Sequence, residues 1–211
     1  MTPSASRAPI TLVIATSNLG KLEEIRKFLD RQPITLARPE DILGQRIEVV
    51  EDGETFEANA EIKARAIGER TGHVTLADDS GLEVDALGGL PGVRSARFAG
   101  EKATDAENNR ELLRRLDGLD QTTLSARFRC AMALFDPARN HVELTHGTCE
   151  GRITRTPRGT LGFGYDPLFE VAERDHRTLA ELETEDKNLV SHRGKALRAM
   201  VSRLLAFIAR P

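Results

Sequence analysis

Apolar positions along the chain alternate between the period of a strand and the period of a helix, and the changes of period mark out its elements. Ile10-Thr-Leu-Val-Ile-Ala15 is a β-branched run closed by Ser17, Asn18 and Gly20, which predicts a buried strand ending in a turn. Leu22, Ile25, Phe28 and Leu29 then recur at helical spacing, so a strand, a loop and a helix N-terminus meet around Thr16 to Lys21. A second helix is predicted over Thr55 to Arg70, with Phe56, Ala60, Ala64 and Ile67 on one face, Lys63 along it and Gly72 just past its end. Val74 to Ala77 predicts a strand that runs into Asp78-Asp79-Ser80-Gly81, turn-favouring residues that would put the two acids at a strand end. Leu82 to Ala86 alternates as an exposed-edge strand would.

Further along, Thr104 followed by Glu107 is a capping box, opening a helix that carries Leu112, Leu113 and Leu116 and reads as purely architectural. Ala126, Phe128, Cys130, Met132 and Leu134 alternate with their neighbours, and the turn-like Asp136 to Asn140 leads into a strand from Val142, which predicts a long antiparallel hairpin. Thr156 to Pro167 is a glycine- and proline-rich loop around Phe163 and Tyr165, with a short strand expected from Pro167 to Val171. Leu197, Met200, Val201, Leu204, Leu205 and Ile208 form the stripe of a last helix, with Ser191 as its N-cap and His192 and Arg193 in its first turn. Cations there oppose the helix dipole. With no internal repeat, this order predicts an α/β fold with a mixed sheet flanked by helices, one domain over residues 10–211 behind a polar tail over 1–9.

Composition narrows the class. Hydrophobic residues make up 39% and charged residues 30% of the 211, the balance of a globular chain with a real core. A net charge of -3 gives no bulk attraction to nucleic acid. Cys130 and Cys149 lack the spacing of a zinc site and read as reduced thiols. The first apolar run is too short for a signal or membrane helix, so the cytoplasm is the expected location.

Four constellations are candidates for chemistry. Thr16-Ser17-Asn18-Leu19-Gly20-Lys21 offers hydroxyl, amide, ammonium and backbone N–H donors where a helix begins, either a phosphate site or a capped turn. Asp78, Asp79, Glu83 and Asp85 form one acidic cluster and Glu51, Asp52 and Glu54 another; they could share an oxygen-liganded cation such as Mg²⁺, or be solvated turns. Phe163 and Tyr165, flanked by Gly162 and Gly164, are either a stacking face for a base or core aromatics. His192 and Arg193 are either donors to a base carbonyl or a solvated helix end. No G-x-S-x-G or H-E-x-x-H motif occurs.

Taken in order, Thr16-Ser-Asn-x-Gly-Lys21, Thr55-Phe-x-x-Asn59-Ala-x-x-Lys63-Ala, Ala77-Asp-Asp-Ser-Gly-Leu82, Gly88-Gly-x-Pro-Gly92, Ser95-Ala-Arg97-Phe-Ala-Gly100, Gly162-Phe-Gly-Tyr-Asp-Pro167, Lys187 and Ser191-His-Arg-Gly194 resemble the inosine triphosphate pyrophosphatases, in particular bacterial members acting on dITP and XTP. The resemblance runs from Ile10 to the last helix. It implies an elongated mixed sheet in two closely joined lobes with the active-site cleft between them, and a homodimer. By the same resemblance Thr16, Ser17, Asn18, Leu19, Gly20 and Lys21 would hold the triphosphate of the nucleotide substrate and Lys63 would add charge to it. Asp79 would bind Mg²⁺ and accept a proton from water, Glu51 would be a second metal contact, and Ser80 would touch substrate. Phe163, Gly164, Tyr165, Asp166, Lys187, His192 and Arg193 would form the pocket for base and sugar. Rival readings are a Maf-like nucleotide pyrophosphatase with another base preference and a nucleotide-binding protein without turnover. The segments at 163–166 and 191–194 argue against the first, and the presence of Lys21, Lys63, Asp78 and Asp79 against the second.

Overall fold

The structure, a computed structural model, describes residues 10–30, 32–120 and 124–209; the tail expected at 1–9 lies outside them. Its elements are β1 (Ile10–Ile14), α1 (Leu19–Leu29), β2 (Ile34–Ala37), α2 (Pro39–Leu43), α3 (Phe56–Thr71), β3 (Thr75–Val84), α4 (Asp105–Arg115), β4 (Ser125–Asp136), β5 (His141–Ile153), β6 (Phe169–Val171), α5 (Thr184–Val190) and α6 (His192–Ala209). They build one six-stranded sheet in the order β2-β1-β3-β4-β5-β6. β1 runs parallel to β2 and β3, and every later pairing is antiparallel, which is the mixed sheet expected. The helix ends follow their caps: Thr55 accepts from the Ala58 N–H, Gly72 closes α3 in the left-handed region, and the Thr104–Glu107 box opens α4.

The long β4–β5 hairpin makes the sheet elongated, because its two ends carry different neighbours. β1 meets β3 only at Thr75 and Leu76, while β6 meets β5 only at Gly151 to Ile153. At the β1 end, α1 and α6 pack Ile25, Leu197 and Met200 on Leu12, Ile14, Leu76 and Met132. On the opposite face of that end, Phe56, Ala60 and Ala64 of α3 cover Val13, Ala77, Ala133 and Phe135. At the β6 end a separate core joins Leu112 of α4 and Leu116 just past its end to Leu82, Val84, Phe128 and Phe169. The first two cores clothe the β1 end and the third the β6 end, which gives the two lobes.

Two expectations need correction. Asp78-Asp79-Ser80-Gly81 is not a turn at a strand end; it is the middle of a continuous β3, paired residue by residue with Met132, Ala131, Cys130 and Arg129. Turn propensity is overridden because the polar side chains find partners on both faces of the sheet, Lys21 and Arg193 on one and Asn59 on the other. Nor is Leu82–Ala86 an exposed edge: Leu82 and Val84 are buried and paired to β4. The strand β2 and the helices α2 and α5, too short to carry a clear period, were not anticipated. In the final stripe Leu197, Met200 and Leu204 are buried, Leu205 is exposed, and the Ile208 side chain lies outside the described ones.

The N-terminus of α6 lies directly on β5, and Gly147 permits the contact. A Cβ there would overlap the His192 carbonyl oxygen and sit 2.6 Å from the Ala196 nitrogen, both backbone atoms of a packed helix. Gly147→Ala is therefore expected to lower stability by about 1–3 kcal/mol, read as a fall in denaturant midpoint at unchanged m-value.

Candidate active site

Successive residues of a strand point to opposite faces, so β3 sends Asp78 toward α1 and α6 and Asp79 toward α3. Asp78 is 1% exposed, and burying a lone carboxylate costs several kcal/mol. Its Oδ2 lies 3.0 Å from Lys21 Nζ and 3.3 Å from Arg193 Nε. Burial pushes this carboxyl up, but Lys21, Arg193 and Lys63 outweigh it and hold the group well below the usual carboxylate range. Arg193 donates to Glu24 through Nη1 and to Ser80 Oγ through Nη2, at 3.0 Å for the latter. Glu24 also accepts from Lys187 Nζ at 2.8 Å, and the same ammonium lies 2.8 Å from Asp166 Oδ2. The result is a buried chain of alternating sign: Lys21, Asp78, Arg193, Glu24, Lys187, Asp166.

On the other face Asp79 is oriented by two donors. Its Oδ2 accepts from Asn59 Nδ2 at 3.1 Å and its Oδ1 from the Ser80 N–H at 2.9 Å. Asn59, fully buried on α3, also accepts from the Gly53 N–H, which ties the loop carrying Glu51 to Asp79. Lys63 Nζ bridges Glu51 Oε2 at 2.7 Å and the Asp78 carbonyl at 3.0 Å. Burial pushes Asp79 above the usual carboxylate range against the pull of Lys21 and Lys63, which makes it the more basic of the two adjacent aspartates.

Both faces open into one cleft of about 580 Å³, the size of a small-molecule site. Thr16, Ser17, Asn18 and Lys21 line it from the β1–α1 junction; Glu51, Lys63, Asp79 and Ser80 line its floor. Phe163, Gly164, Tyr165, Asp166, Lys187, His192 and Arg193 form the remaining wall. Leu19 and Gly20 do not belong to the lining. Leu19 is 74% exposed at the start of α1, and Gly20 faces the Phe163 ring, where a Cβ would come within 2.7 Å of Cδ1. The Asn18 side chain caps α1 by accepting from the Lys21 N–H, so the capped turn and the cleft lining are the same residues. Tyr165 proves to be a core aromatic at the cleft edge, its hydroxyl donating to the Ser95 carbonyl. His192 and Arg193 are not a solvated helix end, for both are buried. His192 stacks on Phe128 at 4.7 Å, and burial together with Arg193, Lys187 and Lys21 keeps its imidazole neutral.

The Ham1 family model matches residues 12–203, the whole span that builds this cleft. The chain belongs to the Ham1 family. A dITP/XTP pyrophosphatase of Bacillus licheniformis is 47% identical over 189 residues, covering 90% of this chain and 95% of the relative. Another protein of that name, from Geobacter sulfurreducens, is 50% identical over 193 residues, 92% and 96% of the two chains. The solved structure of a HAM1 protein from Coxiella burnetii superposes with a TM-score of 0.84 at 42% identity, covering 93% of this chain and 99% of that one.

Several residues in and behind this Ham1 cleft escape sequence reasoning. Glu24 lies one turn after Lys21 on α1, an i, i+3 pair whose faint signal is shared spacing with a cleft lysine. Asn59 was visible only as part of a motif, without a role. Asp105 and Asn108 line the cleft from α4, so that helix is not purely architectural. Burial pushes Glu24 up, but Arg193 and Lys187 pull it below the usual range. A depressed carboxyl stabilises the fold above its unfolded pKa and loses that contribution as pH falls through the folded value. Glu24→Gln is therefore expected to melt lower than the parent at pH 7, by about 2–4 kcal/mol in stability, with the gap closing below roughly pH 4; thermal melts across pH test this.

Proposed function

We propose that this chain hydrolyses non-standard purine nucleoside triphosphates, dITP, ITP and XTP, to the monophosphate and pyrophosphate. The observation that carries the reading is the make-up of the cleft: an aromatic and buried-charge wall built by Phe163, Lys187, His192 and Arg193, and a floor where Asp79 lies beside the Lys63–Glu51 pair, with Lys21 between them on Asp78. The names of its Ham1 relatives support the same reaction.

In this reading Lys21 and Lys63 neutralise charge on the phosphates, and the hydroxyls of Thr16 and Ser17 and the side-chain amide of Asn18 meet phosphate oxygens at the N-terminus of α1. Asp79, raised by burial and aimed by Asn59 and the Ser80 N–H, takes the proton from the attacking water. Asp79 and Glu51 are the carboxylates that fit Mg²⁺. Both line the floor of the cleft and offer oxygen donors alone, the chemistry of an ion that takes one or two carboxylates and fills its shell with water and substrate phosphate. When bound, Mg²⁺ supplies charge neutralisation to the phosphates and acidity to water.

For base choice, a donor facing the C6 oxygen of inosine or xanthosine leaves adenine's amino group unpaired. His192 and Arg193 are the donors of this reading: His192 Nδ1 has no partner among the described residues, and Arg193 Nη1 and Nη2 each keep a second N–H beside the bonds to Glu24 and Ser80. Ser80, Tyr165 and Asp166 shape the remaining wall, and a homodimer belongs to the same proposal. Among the described residues no helix is long and apolar enough to cross a membrane.

Pyrophosphate release from ITP and XTP, with little from GTP or ATP and none after EDTA, is the expected outcome of a substrate panel. Asp79→Asn should lower kcat at least about a hundredfold while leaving the thermal midpoint in place. Orthophosphate alone as product, or substantial turnover by Asp79→Asn, would reject the assignment.

A further inference from the structure

We propose that Asp105 and Asn109, one turn apart on α4, are a positioning pair for base recognition, holding Gly164 by its N–H and its carbonyl and so fixing Phe163 in the cleft. The proposal rests on the reading of Phe163 as a surface for the purine. Asp105 Oδ2 accepts from the Gly164 N–H at 2.7 Å, and Asn109 Nδ2 donates to the Gly164 carbonyl at 3.0 Å. On the other side of the ring, the Phe163 N–H donates to Asp166 Oδ2 at 3.0 Å. The backbone on both flanks of Phe163 is thereby tied to side chains from outside the immediate peptide, in a glycine-rich loop that would otherwise sample many conformations. The ring itself lies 5.0 Å from Lys187 Nζ and 5.5 Å from the Arg193 guanidinium carbon, so its position decides how those cations face the base.

The grip differs from a fastening for α4. That helix is already anchored by Leu112 and Leu116 in the core, and by Asn108, which accepts from the Ala99 N–H and donates to the Ala96 carbonyl. Asn109 delivers its amide to Gly164 while its own Oδ1 stays buried without a partner, an unfavourable arrangement for a contact that served stability alone. Asp105 occupies the first turn behind the Thr104 cap, where the helix dipole favours a carboxylate and the box holds its direction. Ordering of the Phe163 loop is thus accomplished on folding, before substrate arrives.

The test uses the full chain in five forms: parent, Asp105→Ala, Asp105→Asn, Phe163→Ala and the double variant of Asp105→Ala with Phe163→Ala. Asp105→Ala is expected to raise KM for ITP on the order of tenfold with kcat nearly unchanged, and to speed amide exchange at Gly164. Asp105→Asn keeps an acceptor oxygen in the same place and should restore KM to near the parent value. Because Asp105 acts through the ring, the double variant should be no worse than Phe163→Ala alone. A normal KM in Asp105→Ala beside a raised KM in Phe163→Ala overturns the positioning role and leaves the stacking reading intact, as do multiplicative losses in the double variant. An unchanged KM in Phe163→Ala overturns both.

Discussion

A carboxylate in the middle of a β-sheet is tolerable only where cations reach it, and Asp78 organises this molecule around that requirement. Lys21 comes from the first turn of α1 and Arg193 from the first turn of α6, so two helices from opposite ends of the sequence converge on one oxygen. Each cation then needs its own surroundings balanced, which recruits Glu24, and through Glu24 the Lys187–Asp166 pair. The attraction between one pair at contact, about 4 kcal/mol at an effective dielectric near 20, does not by itself offset desolvation of both ions. The alternating chain does so collectively. Breaking it at any point leaves a buried charge uncompensated, and for that reason the chain acts as one unit.

The same strand separates structure from chemistry by alternation alone. Asp78, toward α1 and α6, is locked as an anion; Asp79, toward α3, is held by neutral donors and pushed toward the range where it can take up a proton. One step along a strand thus converts a counter-ion into a candidate base. Glu51 is placed beside it indirectly, through Lys63 and through the hydrogen bond of Gly53 to Asn59. The cleft exists because β1 stops at Ile14 while β3 continues to Val84, leaving the β1–α1 junction facing the polar middle of β3.

Much of the secondary structure was legible beforehand because its signals were local and agreed with one another. Thr55 and Gly72 bracket α3, the Thr104–Glu107 box opens α4, and the alternation from Ala126 to Leu134 marks β4, each an interaction made within a few residues. The failures share a different cause. Asp78-Asp79-Ser80-Gly81 has the local chemistry of a turn and is a strand because of Lys21, Asn59 and Arg193, which come from three separate helices. The His192–Arg193 pair carries no local sign of burial either; only the approach of α6 to Gly147 on β5 and the stack on Phe128 put it inside.

By itself the sequence determined the class of fold, the boundaries of the longer helices and the hairpin, and, through motifs in a fixed order, the family and many of the residues that line the cleft. Periodicity, capping and motif order are properties of neighbours along the chain, so they survive without coordinates. Tertiary structure alone decided which acid is an anchor and which is basic, that Leu19 and Gly20 stand outside the lining, and that Glu24, Asn59 and Asp105 take part. Burial and charge pairing depend on distances between residues far apart in sequence, and a carboxylate's character is set by those distances.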